Sequence, residues 1–277
     1  MTTPTVPTSA RPAPAGPASP LPAALAVETL KLGRSIVARL ATALLAVLVP
    51  AAAVGMVALA RSPQAGGPTA AKLADYATGD LATTHLTVCA QVLSVAALAA
   101  GGFFVASSFG RELESGTAGA LFGLAVPRST TALAKCLVTL AWTTASVVLT
   151  VGLSVAASAV VTASSGASFG AWREAGIAVV AGLLGGGLAL PFAWVATVAR
   201  SQLATVGALV GVVALTQIVV LLGGGSWFPY AAPSLWTGMG GPDAAAAVGL
   251  PHLLVAAAVV PLAVGAVVRA WRRLTNV

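Results

Sequence analysis

The chain has 277 residues, of which 58% are hydrophobic and only 8% charged, and its mean hydropathy is +0.96. Ordinary soluble domains are far more polar than this, so a soluble enzyme or binding module is excluded. The net charge of +7 does not point to nucleic acid, because the basic residues are scattered between apolar segments and form no stripe.

Six apolar segments, at about 40–60, 85–109, 136–162, 176–199, 203–223 and 248–268, each supply the roughly 20 residues that cross about 30 Å of hydrocarbon. Backbone groups in lipid must bond within their own segment, and the alternation of a barrel strand is absent, so all six are read as helices. The fold class is an all-α membrane protein with six transmembrane helices. Lys and Arg set its orientation. With the N-terminus in the cytoplasm, eleven basic residues fall on the inner side, and only Arg61, Lys72 and Arg173 lie outside. An even number of spans then puts both termini inside.

Three regions follow in chain order. Residues 1–20 are rich in Pro, Ala, Thr and Ser, and read as a disordered cytoplasmic tail. No basic start leads into a short apolar stretch with a cleavage site, so a cleaved signal peptide is not expected. Residues 21–39 change character. At 100° per residue Leu25, Leu32, Ile36 and Leu40 share one face, while Glu28, Lys31, Arg34 and Ser35 gather on the other. This predicts an amphipathic helix in the membrane interface, with Glu28 and Lys31 paired along it. Residues 40–277 form the six-span domain. Its first span contains Pro50, expected to kink it, and a short loop at 61–84 follows.

The most informative stretch is FGRELESGTAGALFGLAVPRSTTALAK, from Phe109 to Lys135. It sets Arg111, Glu112, Glu114, Arg128 and Lys135 between the second and third spans. Gly116 is expected to break the helix leaving the second span, and Thr117 to cap a short transverse helix presenting Leu121 and Phe122. Pro127 should end that helix, and Ser129 or Thr130 should cap the third span. A charged loop obeying the positive-inside rule would need neither two carboxylates nor an aromatic.

Elsewhere, Gly182/Gly186 and Gly207/Gly211 have the spacing that lets helices approach closely, read as packing within one subunit. Arg200-Ser-Gln is a tight inner turn between spans four and five. Residues 224–247 combine Trp227, Phe228, Tyr230 and Trp236 with three prolines, which suits an outer interfacial loop. Cys89 and Cys136 approach opposite membrane faces, so no disulfide joins them. His85, at the outer edge of span two, is read as a hydrogen-bonding group. No phosphate loop, metal-ligand spacing or nucleophile motif occurs, so no catalytic or metal residue is assigned. The spans hold no acidic residue at mid-depth of the kind a proton- or sodium-coupled transporter keeps. Gln217, in span five, is the deepest strongly polar residue.

The pattern FGRE…GT…L…PRS…K, with the ETLKLGRS stretch at 28–35, resembles the permease subunits of type-2 ATP-binding-cassette (ABC) exporters. The resemblance covers roughly residues 21–277. It implies that Arg111, Glu112, Glu114, Gly116, Thr117, Leu121, Phe122, Pro127, Arg128 and Lys135 belong to a cytoplasmic coupling helix region that docks on a separate ATPase. Glu28, Lys31 and Arg34 would belong to the family's amphipathic N-terminal helix. The implied partners are a cytoplasmic ABC ATPase subunit, a second permease subunit (the same or a related chain) and the plasma-membrane bilayer. ATP and Mg would be bound by the partner, with no cofactor on this chain. A translocation path between subunits would be lined by Gln91, Thr144 and Gln217. Two other readings are a non-transporting scaffold or sensor that recruits a cytoplasmic protein, and a secondary transporter.

Overall fold

The computed structural model describes residues 20–62, 74, 76–116, 126–166 and 168–274. Among these every regular element is helical and no strand occurs. In chain order they are α1 (Pro20–Arg34), α2 (Ile36–Ala60), α3 (Leu81–Glu114), α4 (Arg128–Ser164), α5 (Trp172–Gly187), α6 (Pro191–Ala199), α7 (Gln202–Leu221), α8 (Ala232–Trp236), α9 (Pro242–Ala246) and α10 (Leu250–Arg272). Six runs are long and apolar enough to cross a membrane: α2, α3, α4, α5 with α6, α7 and α10. All six expected spans are present.

Each boundary has a local cause. Ser35 separates α1 from α2: its extended backbone stops the first helix, and its hydroxyl accepts from Ala38 N at 3.2 Å to start the second. The N-terminal helix therefore ends at Arg34 rather than 39. α2 runs through Pro50 without interruption. Asp80 caps α3, accepting from Thr83 N at 2.9 Å. α4 starts at Arg128 directly after Pro127, whose carbonyl accepts from Thr130 N and Thr131 N. Ser129 and Thr130 thus lie inside the first turn instead of capping it. The fourth span is broken by Pro191, which has no N–H to give. The bonds at Ala189, Leu190 and Phe192 tighten to three-residue closures.

α3 lies at the centre. Leu45, Val49, Ala53 and Val57, four apart on α2, bury one stripe against it, while Leu40, Leu44 and Leu48 on the next stripe stay exposed. α5 packs closest. A Cβ at Gly182 would meet Leu93 and Val147, and one at Gly185 would strike the Ser94 carbonyl. These glycines serve packing within the chain, whereas a Cβ at Gly207 or Gly211 of α7 would meet nothing. The 224–247 segment is more ordered than an open loop. It contains a short 3₁₀ turn (Gly225–Trp227), α8 and α9, and buries Ala231, Ala232 and Leu235 with Leu253 of α10 and Leu184 of α5.

Candidate functional site

α1, the C-terminal end of α3 and the N-terminal end of α4 meet at one end of the bundle, called here the basic end. Four charges close a ring there. Lys31 Nζ donates to Glu28 Oε1 at 2.9 Å and to Glu112 Oε1 at 3.0 Å. Lys135 Nζ lies 2.9 Å from Glu28 Oε2 and 2.9 Å from Glu112 Oε2. Each carboxylate thus bridges both lysines. The Lys135 side chain is 0% exposed, Glu28 5%, Glu112 21% and Lys31 39%.

The depth of Lys135 explains the ring. An isolated ammonium in an apolar interior is too costly to persist, so it survives only with its donors satisfied. Besides the two carboxylates, Lys135 reaches the Ser108 carbonyl at 3.2 Å and sits 5.7 Å from the centre of the Phe109 ring. At Lys31, burial alone would lower the ammonium. The hydrogen bond to Glu28 and the charges of Glu112 and Glu28 outweigh that, and hold its pKa above the ordinary 10.5.

The end of α3 is built to hold Glu112 in place. Residues Ala106–Gly110 form a π-turn that runs directly into Arg111–Glu114. Phe109 is fully buried and meets Trp271 of α10 edge-on at 6.1 Å, while Leu113 packs into the same core. Two residues past Glu112, Glu114 Oε2 accepts from Gln202 N at 3.0 Å, and Ser201 Oγ accepts from Ala204 N at 3.3 Å. Glu114 therefore caps the first turn of α7, where the helix dipole favours a carboxylate. The chain reaches α7 through Arg200, whose left-handed backbone (φ 49°) closes α6 in a tight turn. Gly110 allows the contact: a Cβ there would lie 2.8 Å from Gln202 Cα. The tip of α3 is thus tied to α1, α4 and α7 at once.

The residues singled out in the sequence fall into three groups. Glu28, Lys31, Glu112 and Lys135 come together in the ring, and Glu114 joins α7. Gly116 terminates α3 with a left-handed φ of 68°. Pro127 and Arg128 begin α4, while Thr117, Leu121 and Phe122 lie outside the described residues. Arg34 and Arg111 are exposed beside the ring. Glu28, Lys31 and Leu32 face the bundle while Val27, Leu30 and Arg34 face outward, so α1 packs by a mixed face that includes two of its charges. Of the remaining three, Gln91 is buried, accepting from Tyr76 Oη at 2.8 Å and donating to Thr237 O at 3.2 Å. Thr144 faces outward, its hydroxyl donating to Leu140 O within its own helix. Gln217 is exposed on α7. His85 makes the expected hydrogen bond, 3.3 Å from Ser158 Oγ.

Periodicity pairs residues three or four apart and does not foresee the closure of the ring or the cap by Glu114. A usable signal existed: a lysine one residue from an apolar span needs a carboxylate, and few acids are available in this chain.

Six membrane-length helices, locked at one end by charge, define a multi-pass membrane protein. Residues 24–220 match the model of a family described as ABC-2 family transporter protein. That match spans well over half of the chain, which therefore belongs to the ABC-2 transporter family and is a permease-type membrane component. No curated protein and no solved structure matches it.

Proposed function

We propose that this chain is the permease subunit of an ATP-driven exporter. In this reading it lies in the cell membrane with its basic end and both termini in the cytoplasm. It docks on a separate ABC ATPase that binds ATP and Mg, and pairs with a second permease subunit. The observation that carries the proposal is the attachment of the α3 tip to α1, α4 and α7. A partner pressing on the segment between Gly116 and Pro127 displaces that tip. Glu112 passes the displacement to α1 through Lys31 and to α4 through Lys135, and Glu114 passes it to α7. Work is transmitted only if the segment's contacts differ between the two states of the ATPase.

What supports a second permease subunit is α7. Gln217 is exposed on α7 with apolar Ala214, Leu215, Ile218 and Val219 around it, and Gly207 and Gly211 leave the outer surface of the helix open. An amide facing hydrocarbon without a partner costs several kcal/mol, and a neighbouring subunit lining a path with it removes that cost.

The test is to purify the chain with its native partners and measure ATP hydrolysis across a compound panel. A copurifying ATPase is expected, stimulated by one compound class and lost on Glu112→Ala or Arg128→Glu. ATPase recovery and transport unchanged in both variants would contradict the docking role.

A further inference from the structure

Beside the ring is a cavity of about 310 Å³ lined by α1, the first turn of α2 and the end of α3. The ring's two lysines and two glutamates cancel. Arg34 and Arg111 also line the cavity, and neither guanidinium has an ion pair or side-chain hydrogen bond among the described residues. The cavity therefore carries two uncompensated cations. Ser107 adds a hydroxyl.

This polar cavity shares Val37 with an apolar one. A groove of about 520 Å³ runs between α2 and α3, walled by Leu40, Leu44 and Leu48 on one side and Ala96, Ala99 and Phe103 on the other. Every residue lining it is Ala, Val, Leu or Phe. Val37 belongs to both cavities, and Phe103 in the groove is followed by Phe104 in the polar cavity. From Val37 to Ala52 the groove follows α2 for about 22 Å at 1.5 Å per residue, against about 15 Å for one leaflet of hydrocarbon.

We propose that the two cavities form one binding site for an anionic phospholipid of the leaflet that holds α1. Its phosphate lies between Arg34 and Arg111, and an acyl chain lies in the α2–α3 groove. A zwitterionic lipid carries its own cation and gains little from the two arginines. A free phosphate gains nothing from the groove. The site shares a wall with the ring, whose four side chains line the polar cavity, and occupying it presses on α1 and α3 where the ring joins them. Binding does not depend on which side of the membrane the basic end faces.

The test is native mass spectrometry of the purified full chain, with any copurifying partners, in an equimolar mixture of palmitoyl-oleoyl phosphatidylglycerol and phosphatidylcholine. About one phosphatidylglycerol per chain should be retained, preferred roughly 30-fold if each arginine contributes as a basic residue does at a lipid surface. The preference should fall to near parity in R34Q/R111Q and persist in R34K/R111K. Filling the groove with Ala99→Leu should lower retention of both lipids. Circular dichroism checks that each variant keeps its helix content; should R34Q/R111Q not fold, the Lys pair and Ala99→Leu decide. Equal retention of the two lipids by the wild type, a preference unchanged in R34Q/R111Q, or retention unaffected by Ala99→Leu would overturn the proposal. So would glycerol 3-phosphate alone raising the melting temperature as much as dioctanoyl phosphatidylglycerol, since the groove would then contribute nothing.

Discussion

The two ends of the bundle are held by different chemistry. At the basic end, residues as far apart as Glu28 and Lys135 meet through full charges, one of them completely buried. At the opposite end the joints between distant segments, among the described residues, are single hydrogen bonds: Arg61 Nη2 donates to Gly79 O at 3.0 Å, Gln91 links Tyr76 to Thr237 O, Cys89 Sγ lies 3.2 Å from Ser154 Oγ, and His85 lies beside Ser158. The ion pair toward that end, Arg173–Glu174 at 3.3 Å, joins adjacent residues, with Arg173 81% exposed. Separate hydrogen bonds can be exchanged one at a time at modest cost. A closed ring of charges cannot be opened at one corner without stranding the others. That makes the basic end the one where a local push must move several helices together, which is what the proposed coupling role needs.

The contrast can be broken most strongly at Lys135. Lys135→Met leaves the buried Glu28 and half-buried Glu112 carboxylates with Lys31 alone, and should lower stability in detergent by about 3–5 kcal/mol. Adding Glu112→Gln should cost less than the sum of the two changes by about 0.5–3 kcal/mol, because the residues share one network. Thermal unfolding of the four proteins checks this, and additive effects would show that the ring is not a unit. At the other end Gln91→Leu removes both joints that it makes, and should cost about 1–3 kcal/mol, measured in the same way.

Asp80→Ala should cost about 1 kcal/mol at neutral pH, through loss of the α3 cap. Hydrogen bonding to the backbone N–H of Thr83 holds the Asp80 carboxyl below its ordinary 3.8. The cap's contribution is therefore complete above that value and is lost as pH falls through the lowered one, so the variant should approach wild type in acid. The Lys31 contribution has the opposite sense. It is complete at neutral pH and fades only as pH rises past the raised lysine value. Smallest of all, Arg173→Ala should change stability by less than about 0.5 kcal/mol, as expected of an exposed pair.

Much of the fold was legible in the sequence because lipid imposes simple rules. Apolar length predicted all six spans, and Gly116 and Pro127 mark where α3 ends and α4 begins. Helical periodicity also set Glu28 and Lys31 on one face of α1. It could not say which face packs inward. In an interfacial helix charges normally face water, and here Lys135 draws Glu28 into the bundle. The cap made by Glu114 was hidden for a related reason: a carboxylate on one helix and a free N–H on another, 88 positions away, leave no periodic trace.

In the proposed complex the α3 tip moves α1 and α7 together when an ATPase partner changes state. The direct measurement is the distance between spin labels at Val27→Cys on α1 and Leu203→Cys on α7, both exposed, with Cys89 and Cys136 buried. It is made in the purified complex with and without trapped ATP, then repeated with Glu112→Gln. The account predicts a distance change on ATP trapping that Glu112→Gln abolishes or greatly reduces. The same change in the variant, or a distance indifferent to ATP in the wild type, would contradict it.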